Sequence, residues 1–328
     1  MSEPMLFAIP AAKPFAEQVR VHLGLKELEP MDVGKFACGE TRVDNIKNSV
    51  RDRNVYVVGW GVGAVNDNLI EVITVVSALR LASAKKITVV YPNLPYSRQD
   101  RKAASRQPIT SRTVANMLTT AAGCDHVITM DLHASQIQGF YDPVPVDNLY
   151  GSPTLVSRIA QSIAKADPIA VVSPDMGGSK RADATVTMLK RLGFEDVALV
   201  IMYKARDPKT GDVVKQEIIG DPTMRHCILV DDMGDTCGTL LRASTRLREI
   251  EGGVLSINVA ITHGVFSGFA ASKLHEAAQI DKVYVTDTCL YPKDYMGQTK
   301  IEVLSVTELF AQAIHQNHIG GSVSHLFD

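Results

Sequence analysis

The residues best suited to do chemistry lie in one short run: Asp231, Asp232, Asp235, Thr236, Cys237, Gly238 and Thr239. They follow the apolar stretch Ile228-Leu229-Val230, which reads as a buried strand. They precede a helical pattern from Leu240 to about Glu251 that ends at Gly252-Gly253. The start of a helix presents unpaired backbone N–H groups and the positive end of the helix dipole, and both attract phosphate. Thr236 and Thr239 add hydroxyl donors, and Gly238 lets the backbone approach a ligand closely. Asp231 and Asp232, at the strand's carboxyl end, can accept hydrogen bonds from ribose hydroxyls. Helix capping alone would explain Asp235. Three acids within five positions exceed what a cap needs, so the run predicts a sugar-phosphate site.

Other segments carry reactive residue types with less local specificity. Arg98 and Gln99 follow a strand and a Pro-rich turn, where an arginine is either a ligand contact or a solvated charge. His133 comes two residues after Asp131, just past a strand, and taken alone reads as a hydrogen-bonded structural residue. Lys204 and Arg206 flank the start of the polar stretch Asp207 to Asp212, whose composition is that of an exposed hairpin. Gly59-Trp60-Gly61-Val62-Gly63-Ala64 fits the dinucleotide fingerprint G-x-G-x-x-A after a strand. A dinucleotide site also wants an acid at the end of the second strand. Here that strand runs into Tyr91-Pro92-Asn93, so the fingerprint is rejected.

Strand-like runs recur along the whole chain: Val55–Val58, Ile87–Val90, His126–Thr129, Ile169–Val172, Val197–Val200, Ile228–Val230 and Val283–Val285. Between them lie amphipathic segments, one from about Asn68 to Ala82 with Asn68 and Glu71 spaced as a capping box. Alternation of strands and helices predicts α/β architecture with mainly parallel sheets flanked by helices. Ile87–Arg98 lies over Ile169–Lys180 at an offset of 82, with five of twelve positions identical. The repeat predicts two related domains joined near Gly151-Ser152-Pro153, residues 1–150 and 151–328, in line with a length of 328 residues at ~150 per domain.

Composition narrows the class of function. With 34 Lys and Arg against 36 Asp and Glu, the net charge of −2 does not suit a protein that coats nucleic acid or an anionic membrane. Five scattered cysteines with no C-x-x-C pair suggest neither a zinc site nor a disulfide framework, and a reducing compartment is expected. No uncharged apolar run reaches the ~18 residues of a membrane span, and the first twenty residues lack a signal-peptide layout. A cytoplasmic protein is the expectation.

The Asp231 run matches the phosphoribosyl-pyrophosphate binding signature. Together with Phe36–Glu40, Asn66–Glu71, Pro95–Asp100, Met130–Phe140, Ser173–Gly178 and Thr262–Gly268, it makes the chain resemble the ribose-phosphate diphosphokinase family over nearly its whole length. The resemblance implies two phosphoribosyltransferase-type domains, the first on the ATP side and the second carrying the ribose 5-phosphate loop. It also implies transfer of the β,γ-diphosphoryl group of ATP to the C1 hydroxyl of ribose 5-phosphate, with Mg²⁺ as cofactor. By the same resemblance Phe36, Cys38, Glu40, Arg98, Gln99 and His133 contact ATP, Asp231 to Thr239 bind ribose 5-phosphate, and Lys204 and Arg206 belong to a catalytic loop.

Asp131, His133 and Asp175 are the implied metal ligands. Asp142 and Asp147 are further candidates, although an extra residue in Pro143–Pro145 shifts their spacing relative to many relatives. Cys38 departs from the Asn or Asp common at its position. Ser49, Arg51, Arg106 and Ser322-Val323-Ser324 resemble positions where relatives bind activating inorganic phosphate or inhibitory ADP between subunits, which implies a hexamer. A phosphoribosyltransferase shares the Asp231 run but needs only one such domain. A non-catalytic regulatory homologue would carry lesions in the Lys204 segment, and none is present.

Overall fold

The computed structural model describes residues 3–206, 213–289 and 298–327. The chain divides into two compact units, Met1–Tyr150 with Ser305–Asp328, and Gly151–Leu304. The first is built on a five-stranded parallel sheet of order β1-β4-β5-β6-β7, from β1 (Met5–Ala8), β4 (Asn54–Val58), β5 (Lys86–Tyr91), β6 (His126–Met130) and β7 (Val146–Leu149). Every residue of β1 and β6 is buried, as expected of strands covered on both faces. The helices of this unit are α1 (Lys13–His22), α2 (Val65–Leu81), α3 (Thr110–Asn116) and α8 (Thr307–Ile319). A separate antiparallel hairpin, β2 (Asp32–Lys35) and β3 (Thr41–Asp44), packs against α2, where Lys35 pairs with Asp67 at 2.5 Å.

The second unit holds a seven-stranded sheet of order β10-β9-β8-β11-β12-β13-β14. Its strands are β8 (Ile169–Ser173), β9 (Val197–Arg206), β10 (Val213–Ile219), β11 (His226–Gly234), β12 (Ser256–Gly264), β13 (Lys282–Thr286) and β14 (Ile301–Leu304). Only β9 and β10 pair antiparallel. Helices α4 (Ser152–Ala160), α5 (Ser179–Arg191), α6 (Gly238–Arg248) and α7 (Ala270–Glu276) complete it. Leu155 and Ile159 of α4 and Ala182 and Leu189 of α5 close over Ile169, Val171 and Ile228 in one buried cluster.

Two expectations change. The tail does not belong with the second sheet as the span 151–328 implied. α8 packs on α1, with the Phe310 ring edge-on to Phe15 at 5.4 Å, and the Tyr56 hydroxyl donates to Asn317 Oδ1 at 3.0 Å. A return crossing of this kind leaves no trace in local periodicity.

The capping box at Asn68 does not form either. α2 begins at Val65, and Asn68 instead donates to the carbonyls of Trp60 (3.2 Å) and Val62 (2.9 Å), stitching the loop before the helix. That loop holds the rejected Gly59–Ala64 fingerprint, and its glycines serve packing. A Cβ on Gly61 would overlap the Asn93 carbonyl oxygen, and one on Gly59 would meet the Tyr91 ring at 2.5 Å. Trp60 is buried beside Phe15, with ring centroids 5.9 Å apart.

Candidate active site

In the second unit the chemistry collects at the carboxyl ends of neighbouring strands β8 and β11. Asp231 and Asp232 lie in the last part of β11, and the strand breaks into the loop 235–237 before α6 opens at Gly238. Cys237 turns the corner in a left-handed conformation at φ +57°, and no side chain caps the helix. Cys237 thus offers the first N–H groups of α6 no side-chain cap, and a helix start of this kind attracts an anion. Cys237 is itself buried. Burial, with Asp235 and Asp231 nearby, pushes its thiol up to about 12, so it packs the loop as an uncharged group.

Asp231 and Asp232 are adjacent anions in a confined place. Burial first, and then the neighbouring Asp232, hold the Asp231 carboxyl well above the usual carboxylate range. Arg181, two residues into α5, opposes this with its Nη1 at 3.2 Å from Asp232 Oδ1 and 3.7 Å from Asp231 Oδ1. Sequence reasoning passed over Arg181. Its one visible signal is its place in the first turn of a helix that follows the acidic Asp175 segment. Asp175 sits in the exposed loop after β8, with its Oδ1 accepting the backbone N–H groups of Gly177 (2.8 Å) and Gly178 (3.2 Å). Its charge adds to the pressure on Asp231. Lys204 and Arg206 close β9, where Lys204 is in register with Gln216 and Arg206 with Val213; the Asp207–Asp212 stretch lies outside the described residues.

In the first unit the corresponding strand ends are those of β5 and β6. Arg98 and Gln99 are exposed on the loop leaving β5, anchored where the Thr110 hydroxyl donates to Gln99 Oε1 and the Ser111 N–H to the Gln99 carbonyl at 3.2 Å. Asp131 follows β6 buried and at positive φ (+39°), its N–H donating to the Leu149 carbonyl, while His133 beyond it is exposed. Gln136 donates to Asp100 at 2.9 Å and ties the two loops together. Phe36, Cys38 and Glu40 share the tip of the β2–β3 hairpin, which closes by Phe36 N–H to the Glu40 carbonyl. Phe36 is half exposed beneath the Arg42 guanidinium, 5.7 Å from the ring centroid.

Asp142 and Asp147 are not gathered with Asp131 and His133. Asp142 comes before β7, whose first residue Val146 is in register with Val127 near the start of β6, whereas Asp131 lies past the end of β6. Asp147 takes His126 Nε2 at 2.8 Å. Among the described residues no three His, Cys, Asp or Glu side chains cluster to hold a metal by themselves. Ser49 and Arg51 are exposed before β4, where Arg51 bridges Ala84 ahead of β5. Arg106 is exposed in the loop that follows β5, and Ser322–Ser324 come after α8.

Known proteins resemble the chain over nearly its whole length. The sequence profile of the N-terminal domain of ribose phosphate pyrophosphokinase matches residues 4–123, and that of the phosphoribosyl synthetase-associated domain matches residues 200–328. Ribose-phosphate pyrophosphokinase 3 of Saccharomyces cerevisiae is 42% identical over 313 residues, covering 95% of this chain and 93% of the relative. The crystal structure of phosphoribosylpyrophosphate synthetase from Mycobacterium smegmatis superposes with a TM-score of 0.85 at 34% identity, covering 98% of this chain and all of that one.

Proposed function

Since the chain belongs to the ribose-phosphate pyrophosphokinase family, we propose that the loops leaving its two sheets divide that family's reaction between them. The enzyme makes 5-phosphoribosyl 1-diphosphate by moving the β,γ-diphosphoryl group of ATP to ribose 5-phosphate. The C1 hydroxyl oxygen attacks the β-phosphorus, the bond from that phosphorus to the α,β-bridging oxygen breaks, AMP leaves and the hydroxyl proton is released.

Ribose 5-phosphate is assigned to the Asp231–Thr239 loop. The observation that carries this assignment is the start of α6 at Cys237, which gives it no side-chain cap, directly after two confined carboxylates. The 5-phosphate would take the N–H groups and hydroxyls of Thr236 to Thr239, and Asp231 and Asp232 would accept from the ribose hydroxyls. ATP is assigned to Arg98, Gln99 and His133, with Phe36, Cys38 and Glu40 for the base. The joined Arg98 and His133 loops support a common anionic ligand. Lys204 and Arg206 are assigned to the transferring group, where the work is alignment and neutralisation of phosphate charge.

Separate carboxylates with no closed cluster among the described residues suit Mg²⁺, which takes one or two carboxylates and keeps water and substrate phosphates as its remaining ligands. Asp131 and His133 past the end of β6 would offer ligands in the first unit and Asp175 past the end of β8 in the second, and when bound it would neutralise phosphate charge. Asp147 is left out because it is committed to His126.

Inorganic phosphate as activator, a hexameric assembly and a cytoplasmic location complete the proposal. Among the described residues no helix is long and apolar enough to cross a membrane. Purified protein given Mg²⁺, ATP and ribose 5-phosphate should release AMP in step with 5-phosphoribosyl 1-diphosphate. ADP as the nucleotide product would overturn the assignment.

A further inference from the structure

Beyond the loop that would receive the sugar phosphate, the second unit contains a buried polar network that the reaction itself does not use. His263, near the end of β12, is 2% exposed, and its Nδ1 lies 2.8 Å from Thr288 Oγ1. Thr286 donates to the Thr262 carbonyl at 2.6 Å. Thr288 Oγ1 also lies 3.1 Å from that carbonyl and 3.0 Å from Thr286 Oγ1. Which of Thr288 Oγ1 and His263 Nδ1 donates follows from the His263 tautomer, and in either tautomer the bond joins β12 to the segment after β13. Polar groups closed off from water are costly unless all are matched, and a matched set fixes one arrangement of the backbone around it.

That backbone is joined to the phosphate loop residue by residue. His263 is in register with Met233 and Gly264 with Gly234 as β12 runs beside β11. Past the end of the sheet the pairing continues without strand geometry: Phe266 N–H donates to the Gly234 carbonyl at 2.9 Å, and Ser267 N–H to the Asp235 carbonyl at 3.1 Å. Phe266 reaches this position at φ +47°, a region bulky side chains avoid. Its ring closes on Gly234, where an added Cβ would sit 3.0 Å from Phe266 Cε1 and 3.2 Å from Cys237 Sγ. The two peptide groups that deliver the loop into α6 are thus held from outside the loop, by the segment that His263 anchors.

We propose that His263 is a positioning residue for the sugar-phosphate loop. Its hydrogen bond to Thr288 fixes the 263–267 segment, and the Phe266 and Ser267 amides fix the peptide planes of Gly234 and Asp235. The inference rests on the assignment of ribose 5-phosphate to this loop. Neither His263 nor Thr288 needs to touch substrate.

The test compares paired substitutions by the Michaelis constants for the two substrates. His263→Asn keeps an amide that can donate or accept where Nδ1 stands and should match wild type, whereas His263→Gln cannot place one there. Thr288→Ser keeps the hydroxyl and should match wild type, whereas Thr288→Val removes it. Each disruptive variant should raise the KM for ribose 5-phosphate about tenfold, the size of one lost net hydrogen bond, with the KM for ATP unchanged. The double variant His263→Gln with Thr288→Val should be no worse than either alone.

Equal changes in both KM values, or a lower melting temperature with unchanged KM, would overturn the proposal, as would failure of the Asn and Ser variants to restore wild-type behaviour. If a His263 variant does not fold, the Thr288 pair decides. Gly238→Val separates the two readings: unaltered ribose 5-phosphate binding there would sink the loop assignment itself. Loss of binding there with normal His263→Gln and Thr288→Val enzymes would sink only the role of His263.

Discussion

The turns that leave β5 and β8 begin from the same sequence template and end in opposite chemistry. After β5, Pro92, Asn93, Leu94, Pro95 and Ser97 are all buried, with the backbone of Gly61 against the Asn93 carbonyl. The chain surfaces only at Arg98 and Gln99. After β8 the chain surfaces at once: Asp175, Met176 and Gly177 are exposed, and α5 starts at Ser179. The first turn is a packed base that delivers a cation. The second is an open loop that delivers an acid beside two more acids. A duplicated strand-and-turn unit thus presents a cation or an acid according to how much of its turn it buries. The cationic turn suits an anionic nucleotide, and the acidic group suits sugar hydroxyls and a divalent ion.

The largest effect expected lies outside both turns. Lys204→Ala should lower kcat by roughly 10²–10³-fold, about 3–4 kcal/mol of transition-state stabilisation, with little change in the KM for ribose 5-phosphate. Steady-state kinetics with both substrates checks it. A raised KM at unaltered kcat would make Lys204 a binding residue and leave charge neutralisation to the turns alone.

The division between the turns is tested by removing one cation from each. Arg181→Met leaves Asp231 and Asp232 without their shared counter-ion, the loss of a charged contact worth about 1.5–3 kcal/mol. The KM for ribose 5-phosphate should rise by roughly tenfold or more while that for ATP stays put. Arg98→Met should do the reverse. A crossed result, with either variant disturbing the other substrate, would break the comparison.

How much of this was legible depended on whether a residue's task is local. The Asp231–Thr239 loop carries its chemistry in consecutive residues, and a strand, a short turn and a helix start follow from that order; the left-handed corner at Cys237 does not. Strands buried on both faces, such as β4 and β5, were also readable, because their apolar runs are continuous. The hairpin β2–β3 was not, since Asp32–Lys35 and Thr41–Asp44 are half-exposed and contain few apolar residues. β12 was missed although it is almost wholly buried, because Asn258 and Thr262 interrupt its apolar run. Arg181 looked like one more basic residue of an amphipathic helix until tertiary packing set it against β11. Asp147 looked free to bind a metal until its sheet neighbour His126 claimed it. Partners chosen by a neighbouring strand or helix leave no mark on spacing along the chain.

A second pair of substitutions separates packing from chemistry at the turns. Gly61→Ala forces a methyl group onto the Asn93 carbonyl in the buried turn and should cost about 1–3 kcal/mol of stability. It should leave both KM values near wild type in the protein that remains folded. Gly177→Ala places its methyl 3.1 Å from Asp175 Oδ1 in an exposed loop, where the carboxylate can swing away. Its melting temperature should hold, and activity should fall with the displaced acid. Denaturant unfolding and initial rates on the same samples give both readings, and a stable Gly61→Ala protein would remove the packed base from the argument.

The smallest effect on basal activity is expected at Arg51, which belongs to neither turn. Arg51 is exposed and tied by its backbone to Ala84 just ahead of β5, whereas Arg106 is exposed at φ +63° in the loop that follows β5. Arg51 lies on the segment entering β4 and Arg106 on the segment leaving its parallel neighbour β5, so within one chain they are poorly disposed to share an oxyanion. Contacts from Ser49, Arg51, Arg106 and Ser322–Ser324 to a common phosphate would require at least two chains, with guanidinium forks supplying paired, charge-assisted bonds. Phosphate that binds the assembled form preferentially would favour assembly and raise activity together. Arg51→Ala should therefore keep wild-type rates at saturating substrates without phosphate and lose most of the rise when phosphate is added. Its oligomer mass, measured in parallel, should become insensitive to phosphate. Superimposable phosphate titrations for wild type and variant would remove Arg51 from the site. A fall in basal rate with a preserved phosphate response would place it in the catalytic machinery instead.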